Sequence, residues 1–324
     1  MARVFACICV IISHAPIPGG SNIFGCLSIS NYYSVSGASV LFFMISGALV
    51  LNKPQNFTSF LRSRLSRIFL PMAIWSIIIL STNAIYHHQP FSELLHRISV
   101  IPFAPVVGAY WFIYTIMGIY MLTPILSNWL NSCSRRDCEI ALCFWSATLI
   151  IPYVGIFFPA IYSIVNSTGY LFYFSGYVGY AILGFYLRRY VSLTSISLGN
   201  LIFIAFSITI PWLMYLYTEI SHQTIQSRLS WNIALMASIY FLSIKHLSIS
   251  PKWGAIFYNF ANHTFGIYLI HHPIMRHIIW PLIEPLNLIY PIQIPLVTLL
   301  TLILSYTAVE LLSKLPKSKY IIGL

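Results

Sequence analysis

Apolar segments of membrane-crossing length follow one another along nearly the whole chain, and charged side chains fall in the short stretches between them. No other feature limits the fold as much. Only 7% of the 324 residues are charged and 58% are hydrophobic, whereas a soluble domain carries about 25% charged residues. So few charges cannot coat a water-facing surface, and the surface must face lipid. With about 20 residues to a membrane helix there is room for roughly ten. Hydropathy places them near 2–18, 35–51, 68–86, 110–127, 139–157, 169–187, 198–217, 231–247, 255–272 and 294–313. The ninth is interrupted by His263 and by a corner at His271–His272–Pro273. No linker, low-complexity run or repeat divides the chain. The expected fold is therefore all-α, a polytopic membrane bundle of about ten transmembrane helices, with residues 1–324 as a single domain.

The cations test that placement. Fourteen of them, from Arg3 through Lys53, Arg62, Arg64, Arg67 and others to Lys319, fall in the loops on one side. Only three, Arg97, Arg228 and Arg276, fall on the other. Loops rich in Lys and Arg stay cytoplasmic, which puts both termini in the cytoplasm. The net charge of +11 comes from these loops, and no basic run exceeds two residues, so nucleic acid is not an expected partner. Ala2–Ile12 is apolar behind a cation, but His14 interrupts it and no cleavage site follows, so it reads as a helix rather than a leader. Cys7, Cys9, Cys26, Cys133, Cys138 and Cys143 lack metal-site spacing and read as small apolar residues. Tyr32, Tyr33, Tyr86, Tyr110, Trp111, Tyr153 and Trp231 read as interfacial aromatic belts.

Polar groups at membrane depth are costly and mark candidate sites. His14 follows Arg3 by eleven residues, three turns plus about 20°, so the two share a helix face roughly 16 Å apart. A cation at the cytoplasmic rim and a base deep in the same face suit a ligand lying along it. A buried histidine satisfied by a neighbouring helix, with Arg3 as a topology charge, is the other reading. Arg62, Arg64 and Arg67 precede the third span at a helix N-terminus, where guanidinium forks and the helix dipole both favour phosphate. Plain positive-inside charge is again the alternative. No carboxylate falls in the middle of a span, and Glu310 reads as a helix-end partner of Lys314. No metal cluster, phosphate loop or nucleophile elbow is present, so His14 is the best general base available.

These residues, taken together, resemble the acyltransferase-3 family of bacterial membrane O-acyltransferases, in particular short members acting on enterobacterial common antigen and O-antigen. Arg3 and His14 look like its first-helix signature, and Phe42-Phe43-Met44-Ile45-Ser46-Gly47 like its second-helix segment. Arg64, Arg67 and Pro71 look like the opening of its third helix, and Tyr110-Trp111-Phe112, Tyr120 and Pro124 like its fourth. Gly266-Ile267-Tyr268-Leu269-Ile270-His271 is similar to its late Gly-x-Tyr-x-x-His segment. Many relatives carry a histidine before the tryptophan, where Ala109 and Tyr110 stand here. The resemblance implies an inner-membrane O-acetyltransferase with acetyl-CoA as donor substrate, no permanently bound cofactor and no metal. Arg3, Arg64 and Arg67 would hold the donor, His14 would be the catalytic base, and Ser46, Trp111 and His271 would meet substrate. The acceptor would be a glycan or lipid-linked glycan. A flippase for a lipid-linked glycan, using the same arginines on pyrophosphate, is the competing function.

Overall fold

The computed structural model describes residues 1–16, 23–158, 160, 168–192 and 227–323. The expected span at 198–217 lies outside the described residues, as do the side chains of Cys26, Tyr32 and Tyr33. Among the described residues every regular element is helical. The helices are α1 Ala2–His14, α2 Ile23–Val50, α3 Phe57–Tyr86, α4 Phe91–Val100, α5 Trp111–Ser132, α6 Arg135–Phe157, α7 Val178–Tyr190, α8 Trp231–His246, α9 Pro251–Ile274, α10 Trp280–Ile283, α11 Tyr290–Ser313 and α12 Lys319–Ile322. Among the described residues four stretches are long and apolar enough to cross a membrane: Phe57–Tyr86, Gly108–Ser132, Arg135–Gly155 and Tyr290–Ser313.

Local chemistry sets the helix starts. Asn56 Oδ1 accepts from the Ser59 N–H at 3.2 Å, so α3 begins well before its apolar stretch, and Arg62, Arg64 and Arg67 all ride on its first turns. Ser134 and Asp137 form a reciprocal capping box at the start of α6. The cations of the basic loops have similar work. Lys245 Nζ donates to the carbonyls of Leu187, Arg188 and Val191 at 3.1, 3.0 and 2.6 Å, and Arg188 Nη1 donates to Ala48 O at 2.7 Å. They satisfy helix-end carbonyls that have no partner within their own helices.

In lipid, helices associate by close packing rather than by the hydrophobic effect. The α2–α7 contact shows how. A Cβ on Gly47 would run into the Ala181 carbonyl, and one on Gly184 into the Met44 carbonyl, so the two backbones touch where glycine allows it. Phe43, Met44, Tyr180 and Phe185 are fully buried around that contact. A second core lies where α1, α3, α5, α9 and α11 meet, with Ile11, Met72, Tyr110, Ile267 and Val297 at its centre. Gly266 admits the Val309 side chain of α11.

Several expectations are corrected. There is no corner at His271–His272–Pro273: α9 runs through His263 and Pro273, widens to a π-helical turn at Met275–Ile279, and continues into α10. A wider turn accommodates the missing proline N–H without ending the helix. Glu310 meets His263 of α9, Nε2 to Oε2 at 3.1 Å, rather than Lys314. Tyr110 and Tyr153 are buried, not interfacial: Tyr110 Oη donates to Leu269 O at 2.8 Å and Tyr153 Oη to Asn232 at 2.6 Å. Tyr86, 77% exposed, keeps the belt reading. Cys7, Cys9 and Cys138 pack in apolar cores as expected.

Candidate active site

Three hollows carry the polar residues of interest, and the two larger ones are lined by residues of α3 and α9. The first, about 490 Å³, lies at the start of α3 and is lined by Arg3, Arg64 and Arg67 with Ser46, Tyr120 and Asn262. Arg62, on the same helix, is not part of its wall. Among the described residues no carboxylate lines it, and three guanidiniums face the space. The chain end closes it: Gly323, in the left-handed region at φ 73°, packs on Phe265 and the Arg67 carbonyl, and Trp75 Nε1 donates to Ile321 O at 2.9 Å. Ser46 belongs to this end, with Tyr120 Oη 3.5 Å from its Oγ.

The second hollow is a chamber of about 20 Å³, room for about one water. Ser13, His14, Ser39, Trp111 and Arg228 line it. Phe42, Phe112 and Tyr268 line both this chamber and the first cavity, forming the partition between them. The α1 helix connects the two: Arg3 reaches the first cavity and His14 the chamber, as their common face requires. The Arg228 guanidinium lies 4.8 Å over the Trp111 ring, and its Nε donates to Ser39 Oγ at 3.1 Å. Both contacts fix a cation beside His14.

His14 is flanked by two more imidazoles. Its ring centroid is 5.3 Å from that of His271 and 5.4 Å from that of His272. His271 is fully buried; its Nδ1 lies 2.7 Å from Tyr268 O, and its Nε2 has no hydrogen-bond partner among the described residues. A carbonyl can only accept, so the Nδ1 contact makes Nδ1 the protonated nitrogen and leaves a lone pair on Nε2. Two tyrosines hold this stretch of α9 against the start of α5: Tyr268 Oη donates to Ala109 O, and Tyr110 Oη to Leu269 O. Tyr110 is thus a clamp on the backbone that carries His271.

Beyond the histidines lies a third hollow of about 360 Å³, lined by Asn83, His87, Gln89, Arg97, His272, Arg276 and His277 among others. Arg67 and Asn83 are sixteen residues apart on α3, about 24 Å along its axis, so the first and third hollows sit at opposite ends of that helix.

A family model for an acyltransferase domain, that of the acyltransferase-3 group, matches residues 1–310. The chain belongs to the acyltransferase-3 family. No curated protein and no solved structure matches it. This acyltransferase therefore carries its expected residues in two places: Arg3, Arg64, Arg67 and Ser46 around the first cavity, and His14, Trp111 and His271 at the chamber. Sequence reasoning left Arg228 out of the site, counting it as a topology exception. The signal was present in that count, since Arg97 and Arg276, the other two exceptions, also line a hollow. No metal-binding cluster occurs among the described residues of the acyltransferase.

Proposed function

We propose that this membrane acyltransferase is an O-acetyltransferase that takes acetyl from cytoplasmic acetyl-CoA and delivers it to a sugar hydroxyl of a cell-surface glycan or its lipid-linked precursor. It would do so in the bacterial inner membrane as a ten-span protein with both termini inside. The observation that carries this reading is the sequence of hollows: a cavity faced by three guanidiniums, an aromatic partition, and a histidine chamber with a fixed cation. Guanidinium forks suit the phosphates of coenzyme A. The wall of Phe42, Phe112 and Tyr268 suits a thin acyl-carrying arm threaded between aromatic faces.

The chemistry then follows from the groups at the chamber. His14 accepts the proton of the sugar hydroxyl as the oxygen attacks the thioester carbonyl, forming a C–O bond. The negative charge gathers on the former carbonyl oxygen, and Arg228, pinned by Ser39 and Trp111, is the cation close enough to receive it. Collapse breaks the C–S bond, and the proton passes from His14 to the leaving sulfur, releasing the CoA thiol and the O-acetyl sugar. Because the chamber has room for about one water, Phe42 and Phe112 must swing aside to admit the thioester. The closed state also keeps water away from it.

The test is transfer of radiolabelled acetyl from acetyl-CoA to glycan in membranes carrying wild type, His14→Ala or Arg64→Ala at equal protein level. Label is expected with wild type and absent with His14→Ala, which should still bind CoA; Arg64→Ala should label weakly and bind CoA weakly. No label with wild type, with a competent acceptor present, would contradict the transferase and favour the flippase. Equal loss of CoA binding in both variants would overturn the division of roles.

A further inference from the structure

The third hollow, at the far end of α3 and α9 from the CoA cavity, is built from cations, imidazoles and amides. Arg97 comes from α4, His272, Arg276 and His277 from the end of α9 and its π-helical turn, and Asn83, His87 and Gln89 from the end of α3. Among the described residues no carboxylate lines it. Three elements converge here, and two of them depart from regular geometry to do so. The α3 terminus closes with Gln89 N–H to Ala84 O at 2.9 Å and His88 N–H to Ile85 O at 3.3 Å, the paired bonds of a Schellman cap. That cap puts His88 at φ 51°, a left-handed position that glycine fills more cheaply. It presents His87 and Gln89 to the same hollow. The π-helical turn re-aims Arg276 and His277 toward the hollow as well, and such turns cluster at functional sites.

The charge distribution gives a second, independent reason. Cations on the side opposite the basic loops work against the topology signal. On the ten-span reading the chain carries only three: Arg97, Arg228 and Arg276. Arg228 is in the His14 chamber, and the other two both line this hollow. By contrast Lys245 and Arg188, among the basic loops, cap helix ends. His272 lines this hollow and also lies against the His14 ring, so the hollow opens beside the chamber from the side away from coenzyme A.

We propose that this hollow is the acceptor site and that it recognises an oxyanion carried by the acceptor glycan, a phosphate or a carboxylate, rather than a neutral sugar alone. The inference rests on the acetyltransferase reading for its word acceptor, but its binding chemistry stands on the hollow itself. Arg97 and Arg276 hold the anion from two helices, His87 and His277 add donors at the rim, and Asn83 and Gln89 meet neighbouring hydroxyls. The sugar hydroxyl to be acetylated then points past His272 toward His14.

The experiment uses the full chain in nanodiscs of neutral phosphatidylcholine with CoA saturating the first cavity, so that the arginines there are already occupied. Binding of inorganic pyrophosphate, of trigalacturonate and of neutral maltotriose is measured for wild type, for Arg97→Gln/Arg276→Gln and for Arg97→Lys/Arg276→Lys. The proposal expects at least one anionic probe to bind wild type while maltotriose does not. It also expects the glutamine variant to lose about tenfold or more, the order of one lost charged hydrogen bond, with the lysine variant keeping part of it. Pyrophosphate as the better probe assigns the anion to a lipid-linked precursor, and trigalacturonate assigns it to an acidic sugar. Equal binding of neutral and anionic probes, or no loss in the glutamine variant, overturns it. So does occupancy that appears only when anionic phospholipid is put in the disc, which would make the hollow a headgroup site. If wild type binds the probes as described yet transfers no acetyl, the catalytic reading fails and the oxyanion site remains.

Discussion

The two large polar hollows are both cationic and both lined by residues of α3 and α9, yet they are built in different ways. The first draws its arginines from regular helix: Arg3 on the first turn of α1, and Arg64 and Arg67 three apart on α3. The second draws its cations and imidazoles from irregular or short pieces: a left-handed cap at His88, the ten-residue α4, and a π-helical turn after Pro273. On the proposed function, the regular surface would serve a donor of fixed chemistry, and the irregular one could be reshaped for a particular acceptor by changing a cap or a turn. Between them lies the His14 chamber, where Arg228, from the turn before α8, is held by Ser39 and Trp111.

The largest effect should come from that shared centre. His14→Ala removes the base, and transfer should fall by about 10²–10⁴-fold, the range for general acid–base catalysis, while CoA affinity in a direct binding assay stays near wild type. Loss of affinity for CoA would place His14 in the first cavity and erase the distinction between the two ends. Arg228→Gln should come next. The rate of the bound complex should drop about 10²–10³-fold with little change in either KM, as for an oxyanion donor, and Arg228→Lys should recover part of it. An effect confined to the acceptor KM would reassign Arg228 to the far hollow.

Smaller effects sharpen the contrast between the ends. Arg64→Ala or Arg67→Ala should raise the KM for acetyl-CoA by about tenfold each and leave acceptor KM unchanged, with Arg62→Ala, outside the cavity wall, doing neither. The smallest change is Tyr110→Phe. It frees the Leu269 carbonyl from its 2.8 Å partner, should cost about 1 kcal/mol of stability in thermal unfolding, and should slow transfer modestly by loosening the α9 backbone that carries His271.

How far the sequence reveals these parts follows from their periodicity. Arg3 and His14 are legible because eleven residues close an almost whole number of turns, and that arithmetic survives any packing. Arg64 and Arg67 are legible because residues three apart are neighbours on a helix surface, and Asn56 explains why their helix starts earlier than hydropathy implies. The resemblance to a known family named Trp111, Ser46 and His271 but not their sides: Ser46 lies with the arginines, His271 beside His14. Arg228 was hidden because its position against Trp111 and Ser39 depends on tertiary packing. Pro273 misled because proline usually ends a helix, and only the π-helical turn shows how α9 absorbs it. Tyr110 looked interfacial because belts and buried clamps use the same residue type.

The most direct test of the account is sidedness of transfer. Sealed inside-out membrane vesicles would be given labelled acetyl-CoA on the outside, and the acetylated glycan probed with an added glycan-degrading enzyme before and after detergent. The account predicts label in wild-type vesicles that is protected from the enzyme until detergent is added, no label with His14→Ala, and little label in right-side-out vesicles. Label that the enzyme removes without detergent would put donor and acceptor on the same side, and would contradict an acyl path running from the arginine cavity through the His14 chamber to the far hollow.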